Sequence, residues 1–145
     1  MKKISVLAVL ALVLVVGLAF IGCKNEPDES PELTELHVIT ERDMDAGNVY
    51  TYSTTIAARE YYYLRFVGKN PYADLAGCRI IIKRGATVVS DNERAFNGIP
   101  KSNYFLFNTG TFRFVEAGTF TIEVYMVDAN GNKSNTKTLT ITVTE

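Results

Sequence analysis

The chain has few of the side chains that enzymes use for catalysis. His37 is its only histidine, and it stands apart from cysteines or paired carboxylates that could share a metal. A catalytic serine would need a base beside it, and the glycine pattern of a nucleophile elbow is absent from the sequence. A glycine-rich phosphate loop is also missing. We therefore predict a non-enzyme without a cofactor and interpret His37 as a surface residue; two carboxylates that meet only in the fold are the remaining catalytic alternative.

The sequence also has no strong excess of positive charge. Fifteen Lys and Arg residues face sixteen Asp and Glu residues. Residues 24–45 hold eight acids and two bases, a net charge of −6, and residues 46–145 hold eight acids and eleven bases, a net charge of +3. So small a basic excess does not favour nucleic acid as a partner.

Beyond the first 21 residues, helical periodicity is missing, and the chain alternates instead between apolar and polar residues. The longest alternation is in residues 112–144, where Phe120, Ile122, Val124 and Met126 are each separated by one residue. Leu139, Ile141 and Val143 repeat the pattern after a turn-forming stretch at residues 128–135. This period of two predicts a long β-hairpin with one buried face, which needs a second sheet to cover it.

Other strands follow from the same reasoning. We predict them at residues 36–40, 50–56, 60–68, 77–84, 87–90, 104–107 and 112–115, with residues 91–102 as a polar loop. In residues 77–84 the alternation turns Cys78, Ile80 and Ile82 inward and Arg79, Ile81 and Lys83 outward. The count predicts an all-β, single antiparallel β-sandwich over residues 35–145.

The end of the chain resembles a bacterial immunoglobulin-like domain of the PKD or fibronectin-like type. The resemblance covers about 33 residues and consists of a Phe-x-Phe strand, a Glu-Ala-Gly turn, Gly-Thr-Phe-Thr-Ile-x-Val, Val-Asp-Ala-Asn-Gly-Asn and a Thr-rich strand. Phe120 stands where that family often has Tyr, so a hydroxyl that could pin the corner between strands is absent there. The resemblance implies a sandwich used for adhesion, spacing or ligand display, without a single activity.

The start of the chain has the features of an export signal. Lys2 and Lys3 precede an apolar run over residues 4–21, and Gly22 and Cys23 follow it. The small residue before a cysteine resembles the lipobox of bacterial lipoproteins, although Phe20 replaces the usual leucine. This resemblance implies a signal peptide over residues 1–22 and a diacylated Cys23 at the start of the mature chain; an uncleaved membrane-spanning helix is the alternative.

The lipoprotein resemblance also predicts location. Lys24 follows the cysteine, where Asp tends to retain such proteins at the inner membrane, so the outer membrane is slightly favoured for this envelope protein. Residues 23–34 read as the lipidated cysteine and a flexible acidic tether, because they contain too few apolar residues to form a core.

Two further positions have chemical alternatives. With Cys23 acylated, Cys78 has no partner for a disulfide within the mature chain, and the alternation predicts a buried, inert thiol; an intermolecular disulfide is the alternative. Asp128, Asn130 and Asn132 have the spacing of a calcium loop, but no acid follows to complete the coordination. We interpret this segment as an Asn-Gly hairpin turn and predict no metal.

The best candidate for ligand binding is a stripe of side chains on one predicted strand. In residues 60–68, Tyr62, Leu64 and Phe66 would face the core, which leaves Tyr61, Tyr63 and Arg65 on the outer face. Flat aromatic rings beside a guanidinium suit a protein or glycan partner; cross-strand packing of the tyrosines is the structural alternative. We predict a lipid-anchored, non-catalytic binding or adhesion module, and the alternative is a structural or assembly subunit of a larger envelope complex.

Overall fold

The structure is a computed structural model and describes residues 30–40 and 52–145. The described residues form eight strands, whose bounds are β1 Glu32–Thr40, β2 Thr55–Ala57, β3 Tyr62–Asn70, β4 Leu75–Arg84, β5 Thr87–Ile99, β6 Ser102–Asn108, β7 Gly118–Asp128 and β8 Lys137–Thr144. The strands make two sheets, with orders β1-β3-β6 and β2-β8-β7-β4-β5. Within the described ranges, no helix is long and apolar enough to cross a membrane.

The strand order is that of an immunoglobulin-like sandwich, as the sequence predicts. One sheet carries the first, second and fifth long strands, and the other carries the two closing strands beside the third. The short β2 lies beside β8 in parallel, and all other strand pairs are antiparallel. The chain therefore contributes its N-terminal part to both sheets, first through β1 and then through β2.

The hairpin of β7 and β8 is the centre of the second sheet. Phe120, Ile122, Val124 and Met126 are buried, and the residues between them are more exposed. On β8, Ile141 and Val143 are buried between exposed threonines. The predicted hairpin and its buried face are thus confirmed. Their side chains meet the inner face of β3 in one hydrophobic core, which also includes Leu64 and Phe66.

The core of the sandwich extends onto β4 in the predicted register. Cys78 and Ile80 are buried, at 1% and 6% exposure, and Ile82 packs against the core from its edge. Arg79, Ile81 and Lys83 alternate with them and are half-buried. Gly85 starts the tight turn into β5 with a φ of +61°, a conformation that glycine adopts without steric cost.

The structure differs from the predicted boundaries at the start of the domain. Strand β1 begins at Glu32, three residues before residue 35, and the Leu33 side chain is 1% exposed. Glu32 pairs with Lys69 across the ladder, where their side chains form a 2.8 Å ion pair that raises the pKa of Lys69. The polar composition of residues 24–34 predicted a tether rather than a strand. A single buried leucine, Leu33, is enough to attach the start of this strand to the core. Part of the predicted strand at 50–56 lies outside the described residues.

Two predictions about the middle of the chain are wrong. Residues 91–102 are not a loop, because β5 continues to Ile99 along the edge of the second sheet. Backbone pairing with β4 holds this segment in place although most of its side chains are exposed. Residues 112–115 form no strand, since only the bridge between Tyr62 and Phe112 is present there.

Candidate functional site

The predicted tyrosine stripe, which begins one residue before β3, is only partly exposed. Tyr62, Leu64 and Phe66 are at most 2% exposed, so the predicted register is confirmed. Of the side chains on the opposite face, Tyr61 is 57% exposed and Tyr63 is half-buried. The structure thus leaves Tyr61 as the most accessible ring of the stripe.

Arg65 is not exposed, although the predicted stripe requires it to be. Its side chain is 3% exposed, and its Nε donates a hydrogen bond of 2.9 Å to Oδ1 of Asn108 on β6. Ile39, which pairs with Tyr63 in the ladder, is 1% exposed. This part of the outer face is therefore covered. Arg65 is a structural group that joins β3 to β6, and the prediction that it faces solvent is wrong.

His37 lies in β1, beside Arg65 in the ladder. Its ring stacks on Tyr52 with 3.5 Å between the ring centroids, and its Nε2 lies 3.1 Å from Oε2 of Glu35. The described residues hold no cluster of three or more His, Cys, Asp or Glu that could bind a metal. These contacts give His37 a packing role on the outer face of the first sheet.

The Asp128 turn uses its oxygens within the turn itself. Asp128 is 2% exposed. Its Oδ1 accepts the backbone N–H groups of Asn130 and Asn132 at 2.9 and 2.8 Å, and its Oδ2 accepts the side-chain amide of Asn132 at 3.0 Å. Gly131 supplies the positive φ, +86°, that closes the hairpin. The geometry is that of an Asx-type hairpin turn, the interpretation drawn from the sequence.

Two buried titratable groups have shifted pKa values. Burial raises the pKa of the Cys78 thiol to about 11, because the charged thiolate is poorly solvated in the core. Burial also raises the pKa of Tyr62, whose hydroxyl donates to the carbonyl of Ala57 and accepts its N–H. The Tyr62 hydroxyl thus joins β3 of the first sheet to β2 of the second. Cys78 has the environment of an unreactive core thiol.

The structure also contains a cavity that the sequence reasoning missed. About 460 Å³ of space lies between β4, β5 and residues 109–116. Its apolar floor consists of Leu64, Ile80, Ile82, Phe112, Phe114 and Phe120, and one wall consists of Ser90, Asn92 and Arg94 of β5. Val89 and Val115 line its rim, at 51% and 61% exposure.

The sequence does contain a signal of this cavity, namely the spacing of the polar residues that form its wall. Ser90, Asn92 and Arg94 pair with Ile82, Ile80 and Cys78 of β4, so they share the inward-facing side of the sheet. Polar residues at i, i+2 and i+4 where a sandwich needs apolar ones indicate an unfilled part of the core. Ser90 ends the predicted strand at 87–90, whereas Asn92 and Arg94 fall within residues 91–102, whose polarity predicted a loop.

Comparisons with known proteins show similarity at the level of fold. Neither the protein-family models nor the curated protein sequences contain a match to the chain. Among solved structures, the PKD domain of an M14-like peptidase from Thermoplasmatales archaeon SCGC AB-540-F20 is 16% identical, with a TM-score of 0.49, and the match covers 81% of this chain and 99% of that one.

Two other solved structures resemble the chain at lower identity. A Niemann-Pick type C2 protein from Japanese carpenter ant is 7% identical with a TM-score of 0.49, over 83% of this chain and 98% of that one. The CARDB domain of a Pyrococcus furiosus protein, solved with di-metal ions, is 12% identical with a TM-score of 0.43, over 83% and 95%. The strand order alone makes the described chain an all-β, immunoglobulin-like sandwich.

Proposed function

We propose that this chain is an exported lipoprotein, anchored through Cys23, whose immunoglobulin-like domain is a non-catalytic module that binds a protein or glycan partner. The observation that supports anchoring is the apolar run over residues 4–21, which is followed directly by Gly22 and Cys23. Residues 24–31 separate that cysteine from β1. Eight residues span at most about 26–29 Å, so the tether would hold the domain near the membrane surface. Lys24 favours the outer membrane.

Anchoring is tested by substituting the two cysteines separately. The full chain is expressed in a bacterial host with an alkyne-labelled fatty acid, as wild type, Cys23→Ser and Cys78→Ala. The wild type and Cys78→Ala should carry the label and sediment with membranes, whereas Cys23→Ser should lose the label. Label that persists in Cys23→Ser would contradict lipidation at that residue.

The binding role is supported by the exposed end of the tyrosine stripe. Tyr61 is 57% exposed, and the guanidinium of Arg113 lies 5.7 Å from the centre of its ring. An exposed ring held by a cation–π contact offers a large, pre-ordered area to a partner. Tyr63 extends this area along β3. Arg65 takes no direct part because it is buried.

A photocrosslinker at position 61 tests this contact in the native envelope. The crosslinked product should be lost when Tyr63→Ala accompanies the probe and kept when Tyr104→Ala does. Tyr104 is a matched control because it is a 62% exposed tyrosine on β6. An unchanged product in both variants, or none from position 61 in the wild type, would contradict the proposed contact.

The alternative function, an assembly subunit, is favoured by β5. This strand is thirteen residues long, lies at the edge of its sheet and pairs on one side with β4. Such an edge can accept a strand from another protein, although its charged residues, including Asp91 and Glu93, oppose unselective pairing. A crosslinker at position 93 that captures a partner, while one at position 61 does not, would favour assembly over the first proposal.

A further inference from the structure

We propose that the cavity between β5 and residues 109–116 is a binding site for a small amphipathic anion, namely an alkyl carboxylate. Its apolar tail would lie on the core side chains of the floor, and its carboxylate would meet Arg94 and Arg113. The site is separate from the lipid anchor, and it shares Arg113 with the exposed end of the stripe, where this guanidinium lies 5.7 Å from the centre of the Tyr61 ring.

The cavity is a cleft that opens to solvent, with Val89 and Val115 exposed at its rim. The volume of about 460 Å³ lies within the range of small-molecule sites, roughly 300–1,000 Å³. Core side chains, rather than surface ones, form the floor: Leu64, Phe114 and Phe120 are 2%, 6% and 6% exposed. An apolar ligand part would therefore continue the hydrophobic core.

The wall on β5 gives the cavity its polar side. Ser90, Asn92 and Arg94 project from alternate positions of the strand, so they form a row about 13 Å long at 3.3 Å per residue. Asn92 donates a hydrogen bond of 2.6 Å to the Ser90 hydroxyl, which orders part of this row. A ligand with an apolar side and a polar end matches such a cavity better than a wholly apolar one.

The charge of the lining selects an anion. Arg84 is neutralised by Glu116 at 2.7 Å, and it also donates to the carbonyl of Ala117. Arg94 and Arg113 also line the cavity, and neither forms an ion pair with an acid in the described ranges. Two uncompensated guanidiniums beside an apolar floor attract a carboxylate, for which their donor geometry is suited.

The Arg94 side chain is placed across the cavity rather than away from it. A Cβ atom added to Gly110 would lie 3.3 Å from Nη1 of Arg94, so the guanidinium reaches from β5 to the opposite wall. Asp91 and Glu93 are the acids nearest to Arg94 along β5, and they lie on the other side of the sheet, where Asp91 binds Arg79 at 2.7 Å. The guanidinium of Arg94 is thus directed to the site where a carboxylate would arrive.

The test uses the full chain in membranes and a decanoic acid that carries a diazirine in its tail. After illumination, mass spectrometry of peptides should place the label on residues of the cavity, such as Ile82 and Val89, and unmodified decanoate should compete. The matching diazirine alcohol has the same tail without the charge. It should label these peptides at least about tenfold less, because it lacks one charge-assisted hydrogen bond and a bond of this kind contributes about that factor in affinity.

Matched variants separate the site from general partition into membranes. Val89→Trp should abolish the labelling because it covers the rim, whereas Val88→Trp should not, since Val88 is equally exposed but does not line the cavity. Arg94→Gln should reduce labelling about tenfold, and Lys101→Gln, which removes the same charge elsewhere, should leave it unchanged. Protection of Cys78 from a thiol reagent shows that each variant is folded.

The proposal is overturned if the acid and the alcohol label equally, if the label is spread over the surface, or if no label is found. Equal labelling of Val89→Trp and wild type, with Cys78 still protected in both, would also overturn it. None of these outcomes concerns Cys23 or Tyr61, so the proposal fails or stands independently of the lipid anchor.

Discussion

The side chain of Asn135 pairs with the backbone of Leu33 at the start of β1. Its Oδ1 accepts the N–H of Leu33 at 2.8 Å, and its Nδ2 donates to the carbonyl of Leu33 at 2.9 Å. The two residues are 102 positions apart in sequence. This pair of bonds fastens the start of β1 to the turn between β7 and β8.

Removal of the amide by Asn135→Ala should destabilise the domain by about 1–3 kcal/mol. Each neutral hydrogen bond contributes roughly 0.5–1.5 kcal/mol, and two are lost. Asn135 itself is exposed, so water can partly replace them, which keeps the estimate below the cost of two fully buried unsatisfied groups. Urea unfolding at 25 °C measures the change, and hydrogen exchange should become faster at the Leu33 amide.

Two variants separate this bond pair from general effects on the turn. Asn130→Ala removes an amide from the same turn, and the side chain of Asn130 has no such contact, so stability should change by less than about 0.5 kcal/mol. Asn135→Asp keeps an oxygen that accepts the N–H of Leu33, but it places a second oxygen against the carbonyl of Leu33. Protonation of this carboxyl below about pH 4 should partly restore the hydrogen bond to that carbonyl. An Asn135→Ala variant as stable as wild type, with unchanged exchange at Leu33, would refute the reasoning.

Three further predictions concern the core. Ile122→Ala should lower the free energy of unfolding by about 2–5 kcal/mol in urea titrations, since Ile122 is 0% exposed, and a loss below 1 kcal/mol would mean that the hairpin is not central. Tyr62→Phe should cost about 1–3 kcal/mol and speed hydrogen exchange at Ala57, whose N–H bonds the lost hydroxyl at 2.8 Å; unchanged exchange would contradict that contact. Burial raises the pKa of Cys78 from 9.0 to about 11 in the folded state, so the native state keeps its proton longer and the free energy of unfolding falls as pH rises above about 9. Relative to Cys78→Ala, wild type should lose about 2 kcal/mol by pH 11, and parallel pH profiles of the two proteins would contradict a buried thiol.

The sequence predicted those elements in which side-chain alternation and burial coincide. The hairpin of β7 and β8 and the inner face of β3 were predicted correctly, because one face of each is apolar throughout. Alternation alone predicts which face of a sheet a side chain lies on, but not whether that face is exposed to solvent. Arg65 was predicted on the outer face, and whether another part of the molecule lies over that face depends on contacts distant in sequence.

Elements held mainly by backbone pairing were missed for a related reason. The end of β5 and the start of β1 carry polar side chains, so their local composition is that of a loop or a tether. Pairing with β4 and a single buried Leu33 hold them in place. The cavity beside β5 arises from the same polarity, since Ser90 and Asn92 occupy inward positions without filling them. A strand-by-strand count of inward polar residues could have found it.

The central claim, a lipid-anchored chain that begins at Cys23, is tested most directly by the intact mass of the protein extracted from membranes. We predict the mass of residues 23–145 plus a diacylglyceryl group, or a triacyl modification where the host adds a third chain. A mass that matches the unmodified chain from Met1, or residues 23–145 without lipid, would contradict the account.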